Sequence, residues 1–251
     1  MNYLFKLLIY SSILSFASCI NYKHTLFFNG DQTQATPPNP ATTYKLVPGD
    51  VFIIRLFTPD TKSAEMFNLN NQGSGAASPQ AIYFNGYSVN DSGYVELPIV
   101  GNVYVKGYTI GQVDSVITKA ASEYFTYFTL EVKLGSFKIT ALGEVKSPGV
   151  KYIYNDKCTI FEAVGFAGDL TDLADRSKVK VVRKIKGVDM VYKVNLTDYS
   201  VYNSEAYNIQ PNDVIYVKPQ KAKVDSKNIT YVSFGLSLIS ILFVIKTYLK
   251  F

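Results

Sequence analysis

The stretch GYVELPIVGNVYVKGYT, residues 93–109, is the clearest guide to the structure of the surrounding region. Short runs rich in valine and tyrosine are separated by glycines, which is typical of short strands joined by tight turns. Thr109 stands three residues before Gln112, the spacing of a capping box at the start of a helix. Apolar residues then recur from Ile110 to Ile117 at the three- to four-residue spacing of one helical face. The stretch therefore predicts short strands followed directly by an amphipathic helix.

A turn followed by a strand occurs twice, at 46–54 (LVPGDVFII) and at 209–217 (IQPNDVIYV). In each copy a proline presets φ, and the next residue, glycine or asparagine, tolerates a positive φ. The aspartate that follows is predicted to stabilise the turn and not to form a carboxylate pair. Two copies of one turn favour two domains of related construction. The predicted turn residues are Pro48, Gly49, Asp50, Pro211, Asn212 and Asp213.

The rest of the region from 43 to 220 mixes strands with single helices. Residues 60–91 lose periodicity and predict a long loop or insertion. Thr159 and Glu162 form a second capping box, for a helix that ends near Gly168. Because strands and helices do not alternate regularly, the predicted fold class is α+β. Further strands are predicted at 128–134, 137–143, 179–184, 188–196 and 213–218.

Histidine and cysteine are too scarce for the chemistry that they usually support. The 251 residues include one histidine, His24, and two cysteines, Cys19 and Cys158. This composition excludes a His/Cys metal cluster, a histidine-activated nucleophile and a disulfide framework. We therefore predict no metal, no cofactor and no enzymatic activity. An enzyme that cuts glycan would need carboxylates converging in a cleft.

The basic residues do not indicate a nucleic-acid surface. The formal net charge is +5, from 25 Lys and Arg against 20 Asp and Glu, and the lysines are scattered along the chain. The densest run is predicted to be the solvent side of a strand at a charged sheet edge. A weak surface for acidic polymer or anionic lipid is the alternative. The run comprises Lys178, Lys180, Arg183, Lys184 and Lys186.

Two other groups are predicted to be structural. Cys158 precedes a helix cap and is predicted to be a small buried residue. An aromatic cluster at 124–128 is predicted to pack in the core and turns, with stacking on sugar rings as the alternative. The cluster consists of Tyr124, Phe125, Tyr127 and Phe128.

Residues 1–18 have the features of a secretory leader, with one lysine before an apolar run. The run ends in FASC, residues 16–19, which resembles a bacterial lipobox, so Cys19 would be the lipid attachment site. An ordinary secretory peptide with an incidental cysteine is the alternative. Residues 19–42 are polar and contain three closely spaced prolines, and they predict a semi-extended tether.

Residues 228–251 predict a C-terminal membrane helix. No charged residue occurs from Asn228 to Ile245, and a helix of that length spans about 27 Å, enough to cross a hydrocarbon core. Small hydroxyl residues within it recur at helical spacing and would form one stripe. The stripe favours association of several copies or contact with a lumen, and a plain tail anchor is the alternative. It consists of Thr230, Ser233, Ser237, Ser240 and Thr247.

Motifs in the middle of the chain resemble two known families, in sequence order. PGDV at 48–51 and G-x-x-x-L-P-x-x-G-x-V-x-V-x-G-x-T at 93–109 resemble the polysaccharide biosynthesis/export domain. LGEV-x-x-PGV at 142–150 and PNDVI-x-V at 211–217 are similar to the SLBB domain, a β-grasp fold. With a lipobox before them and a predicted membrane helix after them, the whole resembles a Wza-like outer-membrane polysaccharide export lipoprotein. The expected domains are an export domain at 43–135 and an SLBB domain at 136–220.

The resemblance implies a translocon and not a catalyst. Members of this family form homo-oligomeric rings in the periplasm, and their C-terminal helices together line a pore through the outer membrane. Capsular polysaccharide or exopolysaccharide passes outward, and an inner-membrane co-polymerase, often coupled to a tyrosine kinase, meets the periplasmic end. Only one SLBB-like unit occurs here, so a shorter assembly is expected. The alternative is a lipid- and tail-anchored periplasmic module that binds a glycan or partner without conducting.

Overall fold

A computed structural model of the chain describes residues 26–28, 43–68, 79–220, 234–235, 237–241 and 245. Its buried apolar residues form two hydrophobic cores, one between Leu46 and Val132 and the other between Phe137 and Val217. Leu134 packs against both cores, so the division falls close to residue 135. The predicted leader, Cys19 and most of the predicted tether lie outside the described residues.

Among its described residues, the first domain has five strands and three helices. Strand β1 pairs antiparallel with β2 and β5, and β3 and β4 form a separate hairpin. The elements in chain order are β1 (Val51–Phe57), α1 (Thr61–Phe67), α2 (Pro79–Asn85), β2 (Tyr87–Ser88), β3 (Tyr94–Leu97), β4 (Gly101–Tyr104), α3 (Ile110–Ala121) and β5 (Thr129–Leu134).

Strand β1 and helix α3 supply much of the first core. Every second residue of β1, from Phe52 to Leu56, is buried, which is the period of a strand with one covered face. Helix α3 begins with the predicted capping box, in which Thr109 and Gln112 each bond the other's backbone amide. Its buried side chains include Ile117, and burying one such side chain contributes about 1.5–3 kcal/mol.

The second domain has a mixed five-stranded sheet, a separate pair of two-residue strands, one α-helix and one 3₁₀ helix. The strand order is β10-β9-β12-β6-β7, in which β12 runs parallel to β6 and the other neighbours are antiparallel. The predicted mixture of strands and helices is confirmed. The elements are β6 (Lys138–Gly143), β7 (Gly149–Tyr152), β8 (Cys158–Thr159), α4 (Ile160–Phe166), β9 (Ala174–Ile185), β10 (Val188–Val194), a 3₁₀ helix (Tyr199–Asn203), β11 (Asn208–Ile209) and β12 (Val214–Pro219).

The long loop predicted over residues 60–91 is wrong in part, because α1 and α2 lie within it. Asn68, directly after α1, accepts a hydrogen bond from the Leu56 amide and donates one to the Leu56 carbonyl oxygen, at 3.0 and 2.8 Å. These bonds fasten α1 to β1. Helices of seven residues gain little from their own hydrogen bonds, so tertiary contacts decide whether they form, and a periodicity argument misses them.

The basic run at 178–186 does not lie wholly on a solvent-facing edge, as the sequence predicted. Strand β9 is an inner strand between β10 and β12. Lys178, Lys184 and Lys186 are exposed, but Arg183 is only 5% exposed. Side chains alternate along a strand, so Arg183 shares the buried face of Val179 and Val181.

The predicted tether includes a segment that packs on the second domain. The Phe28 ring lies 5.0 Å from the Phe161 ring and 5.6 Å from the Tyr199 ring, centroid to centroid. The Phe27 ring lies 6.1 Å from that of Phe161 and 5.0 Å from the guanidinium carbon of Arg176. Residues 26–28 therefore form an aromatic anchor, and this part of the tether predicted over 19–42 packs on the second domain.

Of the aromatic cluster at 124–128, the two phenylalanines pack in the first core as predicted, and the two tyrosines do not. Phe125 is 9% exposed and meets Phe67 edge to face, with 5.7 Å between ring centroids. Phe128 packs against the same core. Tyr124 and Tyr127 are exposed and make no such contact among the described residues.

Cys158 is expected to resist thiol reagents in the folded protein. It is 2% exposed, and burial raises its pKa to about 12 from an ordinary value of 9.0. Only the thiolate reacts, so at pH 8 the folded protein should react about a thousandfold more slowly than the urea-unfolded chain. Peptide-level mass spectrometry after alkylation separates Cys158 from Cys19. Equal rates in both states would contradict the buried assignment.

Part of the predicted C-terminal helix is described. Residues 234–235, 237–241 and 245 are helical. Ser237 donates to the Phe234 carbonyl and Ser240 to the Ser237 carbonyl, both at 2.7 Å. Across the described residues, no helix has both the length and the apolar character needed to cross a membrane. Thr230, Ser233 and Thr247 lie outside the described residues, and the membrane span stays a prediction.

Candidate functional site at the junction of the two domains

The first predicted turn is organised around the Asp50 carboxylate. Gly49 has φ +90°, a conformation that favours glycine. Asp50, 2% exposed, accepts hydrogen bonds from the Val47 amide and the Tyr44 hydroxyl, each at 2.8 Å, and from the Ser136 hydroxyl at 3.4 Å. Ser136 belongs to the segment between the two cores, so this network joins the first turn to the start of the second domain.

The second predicted turn has the same construction with a different partner. Asn212 has φ +68°, and Asp213 accepts from the Gln210 amide at 2.8 Å. Arg183 reaches Asp213 with two nitrogens, at 2.7 Å from Nη2 and 3.0 Å from Nε. The same guanidinium donates to the carbonyl of Asn208 at 2.8 Å. Asp213 thus joins the turn to the inner strand β9 through a buried ion pair.

The chain segment between β5 and β6 brings the two turns together. The amides of Gly135 and Ser136 both donate to the Val51 carbonyl, at 2.8 and 3.0 Å. Two residues further on, the Lys138 carbonyl accepts from the Asn212 amide at 2.7 Å. The two turns, far apart in sequence, therefore flank one short connection.

Burial dominates the electrostatics of this junction. It raises the pKa of Asp50 above its ordinary value, while hydrogen bonds from Val47, Tyr44 and Ser136 work in the opposite direction. Burial also raises the pKa of Asp213, against the influence of Arg183. The pKa of Tyr44 is raised by burial and by the Asp50 carboxylate, so its phenol stays a donor.

These carboxylates are committed to structure. Each accepts several hydrogen bonds from its own turn and from a neighbouring element, which leaves little capacity for proton transfer to a substrate. In the part of the chain that the structure describes, no group of His, Cys, Asp and Glu is arranged to hold a metal ion. The arrangement is suited to rigid positioning and to binding.

A cleft of about 260 Å³ opens beside the two turns. One wall is the first turn, the second is helix α2, and the third is the β6–β7 pair of the second domain. The side chains in its lining include Tyr83, Ser136, Lys138, Tyr152 and Asn212. A second cavity, of about 210 Å³, also lies between the domains, and its lining includes Ile110, Phe137 and Cys158.

Sequence reasoning found the turn residues but not their partners. Pro48, Gly49 and Asp50 lie together at the cleft with Asn212, and Asp213 lies behind it, nearly fully buried. Tyr44, Ser136 and Arg183 were missed. Of the three, only Arg183 could have been recognised from the sequence, because it lies an even number of residues from the buried valines of β9 and therefore on the same face.

Comparisons with known proteins assign both domains. Residues 38–135 match the family described as polysaccharide biosynthesis/export protein, and residues 138–217 match the SLBB domain. The EPS I polysaccharide export outer membrane protein EpsA of Ralstonia solanacearum is 24% identical over 196 residues, which are 74% of this chain and 50% of that protein. The EpsA of Ralstonia nicotianae is 25% identical over 149 residues, 57% of this chain and 39% of that protein.

The two matches define a class of protein in which an export domain is followed by an SLBB domain. By these matches and the likeness to EpsA, the chain is similar to Wza-like members of the polysaccharide biosynthesis/export family. It spans about half the length of the curated relatives that it matches.

Proposed function

We propose that this protein is the outer-membrane component of a translocon that exports capsular polysaccharide or exopolysaccharide. The observation that carries the proposal is the order of the two domains, 38–135 and 138–217, in a chain similar to proteins named for polysaccharide export at the outer membrane. The role is non-enzymatic. Its support is that Asp50 and Asp213 are buried in structural networks.

The proposed assembly is a homo-oligomeric ring with its folded domains in the periplasm. A lipid on Cys19 and the helix at 228–251 attach each copy to the outer membrane, and the helices together surround the path of the polymer. The support is the uncharged stretch from Asn228 to Ile245 and the hydroxyl stripe within it. An inner-membrane co-polymerase with its tyrosine kinase is the proposed partner at the periplasmic end.

Loss of the chain is expected to stop surface display of the polymer. In the source bacterium, deletion of the gene should reduce surface polysaccharide at least tenfold while polymer accumulates inside the envelope, and the intact gene should restore display. Polymer is measured by immunoblot of intact and lysed cells. Unchanged surface polymer in the deletion strain would overturn the export role.

Thiol labelling distinguishes a pore from a plain anchor when cysteine variants of the protein are produced in the deletion strain. Ser237→Cys and Ser240→Cys place a thiol on the proposed stripe, and Ile239→Cys is the matched control on another side of the helix. A membrane-impermeant maleimide should label the first two at least tenfold faster than the control, because a lumen is wet. Equal protection of all three would favour the non-conducting binding module.

A further inference from the structure

The cleft beside the two turns is lined in part by three side chains that take no part in the hydrogen-bond networks of Asp50 and Asp213. Tyr83 is 72% exposed and Tyr152 is 37% exposed, and both line it. Lys138 lines it as well, and it forms no ion pair with any of the described residues. Two aromatic faces and a free ammonium group thus meet in one concave surface.

Two glycines place the aromatic wall of the cleft. A Cβ on Gly86 would lie 2.4 Å from Cγ1 of Val51, and a Cβ on Gly135 would lie 2.6 Å from Cγ2 of Ile82. Both positions therefore require glycine for helix α2 to pack this closely against β1. Tyr83 follows Ile82 directly, so this close packing holds its ring at the mouth of the cleft.

The opposite wall is set by strand register. Lys138 of β6 pairs directly with Tyr152 of β7, and side chains of directly paired residues lie on the same face about 5 Å apart at Cβ. The ammonium group and the aromatic ring are therefore neighbours on a two-stranded wall. The backbone amide of Asn212 donates a hydrogen bond to the Lys138 carbonyl, which holds this wall against the second turn.

This combination fits a sugar ring. The C–H groups of one pyranose face carry partial positive charge and pack on the negative face of an aromatic ring, while the hydroxyls need polar neighbours. Asn212 lies in the lining, and so does Ser136, whose hydroxyl also bonds Asp50 and the Val51 amide. The volume of about 260 Å³ is below the range of about 300–1,000 Å³ typical of drug-sized ligands, which suits a single ring. Lys138 favours a ring that carries a carboxylate.

We propose that the cleft is a saccharide subsite that binds one acidic pyranose unit, a hexuronic acid, of the exported polymer. The inference rests on the proposed function, since that function supplies the polymer. The sugar lies between Tyr83 and Tyr152, and its carboxylate pairs with the Lys138 ammonium group. Asp50 also lines the cleft, but its carboxylate is buried and accepts from the Val47 amide and the Tyr44 and Ser136 hydroxyls, so it does not contact the sugar.

Titration of the full chain in detergent with defined tetrasaccharides tests the subsite. Isothermal titration calorimetry should show binding of a hexuronic acid tetrasaccharide at least tenfold tighter than that of a neutral hexose tetrasaccharide. Tyr83→Ala should weaken uronate binding at least tenfold. Lys138→Ala should reduce the uronate affinity to that of the neutral probe. Tyr127→Ala and Lys184→Ala are the matched controls, exposed and outside the cleft lining, and they should bind as the wild type does.

The outcomes separate the subsite from the export role. No uronate binding by the wild type up to about 10 mM, equal affinity for the neutral probe, or equal losses in the control variants would each overturn the subsite. None of them bears on surface display in the deletion strain. Unchanged display in that strain would overturn the export role even if uronate binds. Equal thermal unfolding midpoints of all variants show that binding, and not folding, has changed.

Discussion

Arg183→Ala is expected to lower the free energy of unfolding of the second domain by about 3–5 kcal/mol. The Asp213 carboxylate is 1% exposed, and without its partner it would be an uncompensated buried charge. The substitution also removes the donor to the Asn208 carbonyl, 2.8 Å away in the native protein. Arg183→Lys keeps the charge but not the planar guanidinium group, so it should lower the free energy of unfolding by less than Arg183→Ala does.

Urea denaturation followed by far-ultraviolet circular dichroism measures this loss. Lys184→Ala is the matched control, since it removes the next basic residue on the same strand from an exposed position, where substitutions change stability by less than about 0.5 kcal/mol. If Arg183→Ala and Lys184→Ala unfold at the same urea concentration, the buried pair does not contribute as argued.

Gly143→Ala is expected to destabilise the same domain by about 3–5 kcal/mol, through sterics and not charge. Gly143 ends β6 with φ +86°, and an added Cβ would lie 2.0 Å from the Val217 carbonyl oxygen. That oxygen accepts from the Glu144 amide at 3.0 Å. The Val217 carbonyl oxygen therefore cannot move away from the added Cβ without breaking this hydrogen bond at the parallel pairing of β6 and β12.

Gly165→Ala in helix α4 is the control for the Gly143 substitution. Apart from the adjacent residues and the helix's own backbone, no atom lies within 4 Å of a Cβ at that position, and alanine is the better helix former by up to about 1 kcal/mol. The control should be neutral or more stable in the same denaturation experiment. A Gly143→Ala protein as stable as the Gly165→Ala protein would contradict the predicted clash.

Local patterns were sufficient for the parts of the fold that short segments determine. The capping box of Thr109 and Gln112 needs only four residues, and so does the turn from Val47 to Asp50. In these segments the side chain and the backbone group that it satisfies are near neighbours in sequence. A pattern in the sequence therefore contains both partners.

The candidate site could not be predicted because its members are distant in sequence. Tyr83 and Tyr152 line one cleft only after the two domains pack, and the hydrogen bond between Ser136 and Asp50 spans 86 positions. No periodicity links such residues. Arg183 is different, because the alternation in β9 could have assigned it to the buried face. Its positive charge favours the exposed face of a strand, whereas its position in the alternation places it on the buried face.

The aromatic anchor at residues 26–28 limits how far the protein can extend from a lipid. Phe27 is eight positions after Cys19, and a fully extended chain of that length reaches at most about 28 Å. An acyl chain on Cys19 would therefore hold the part of the second domain that contacts Phe27 within that distance of the bilayer surface. The length of the segment between the anchor and Thr43 would then not affect the maximum distance between the lipid and the second domain, because only residues 19–27 connect the two.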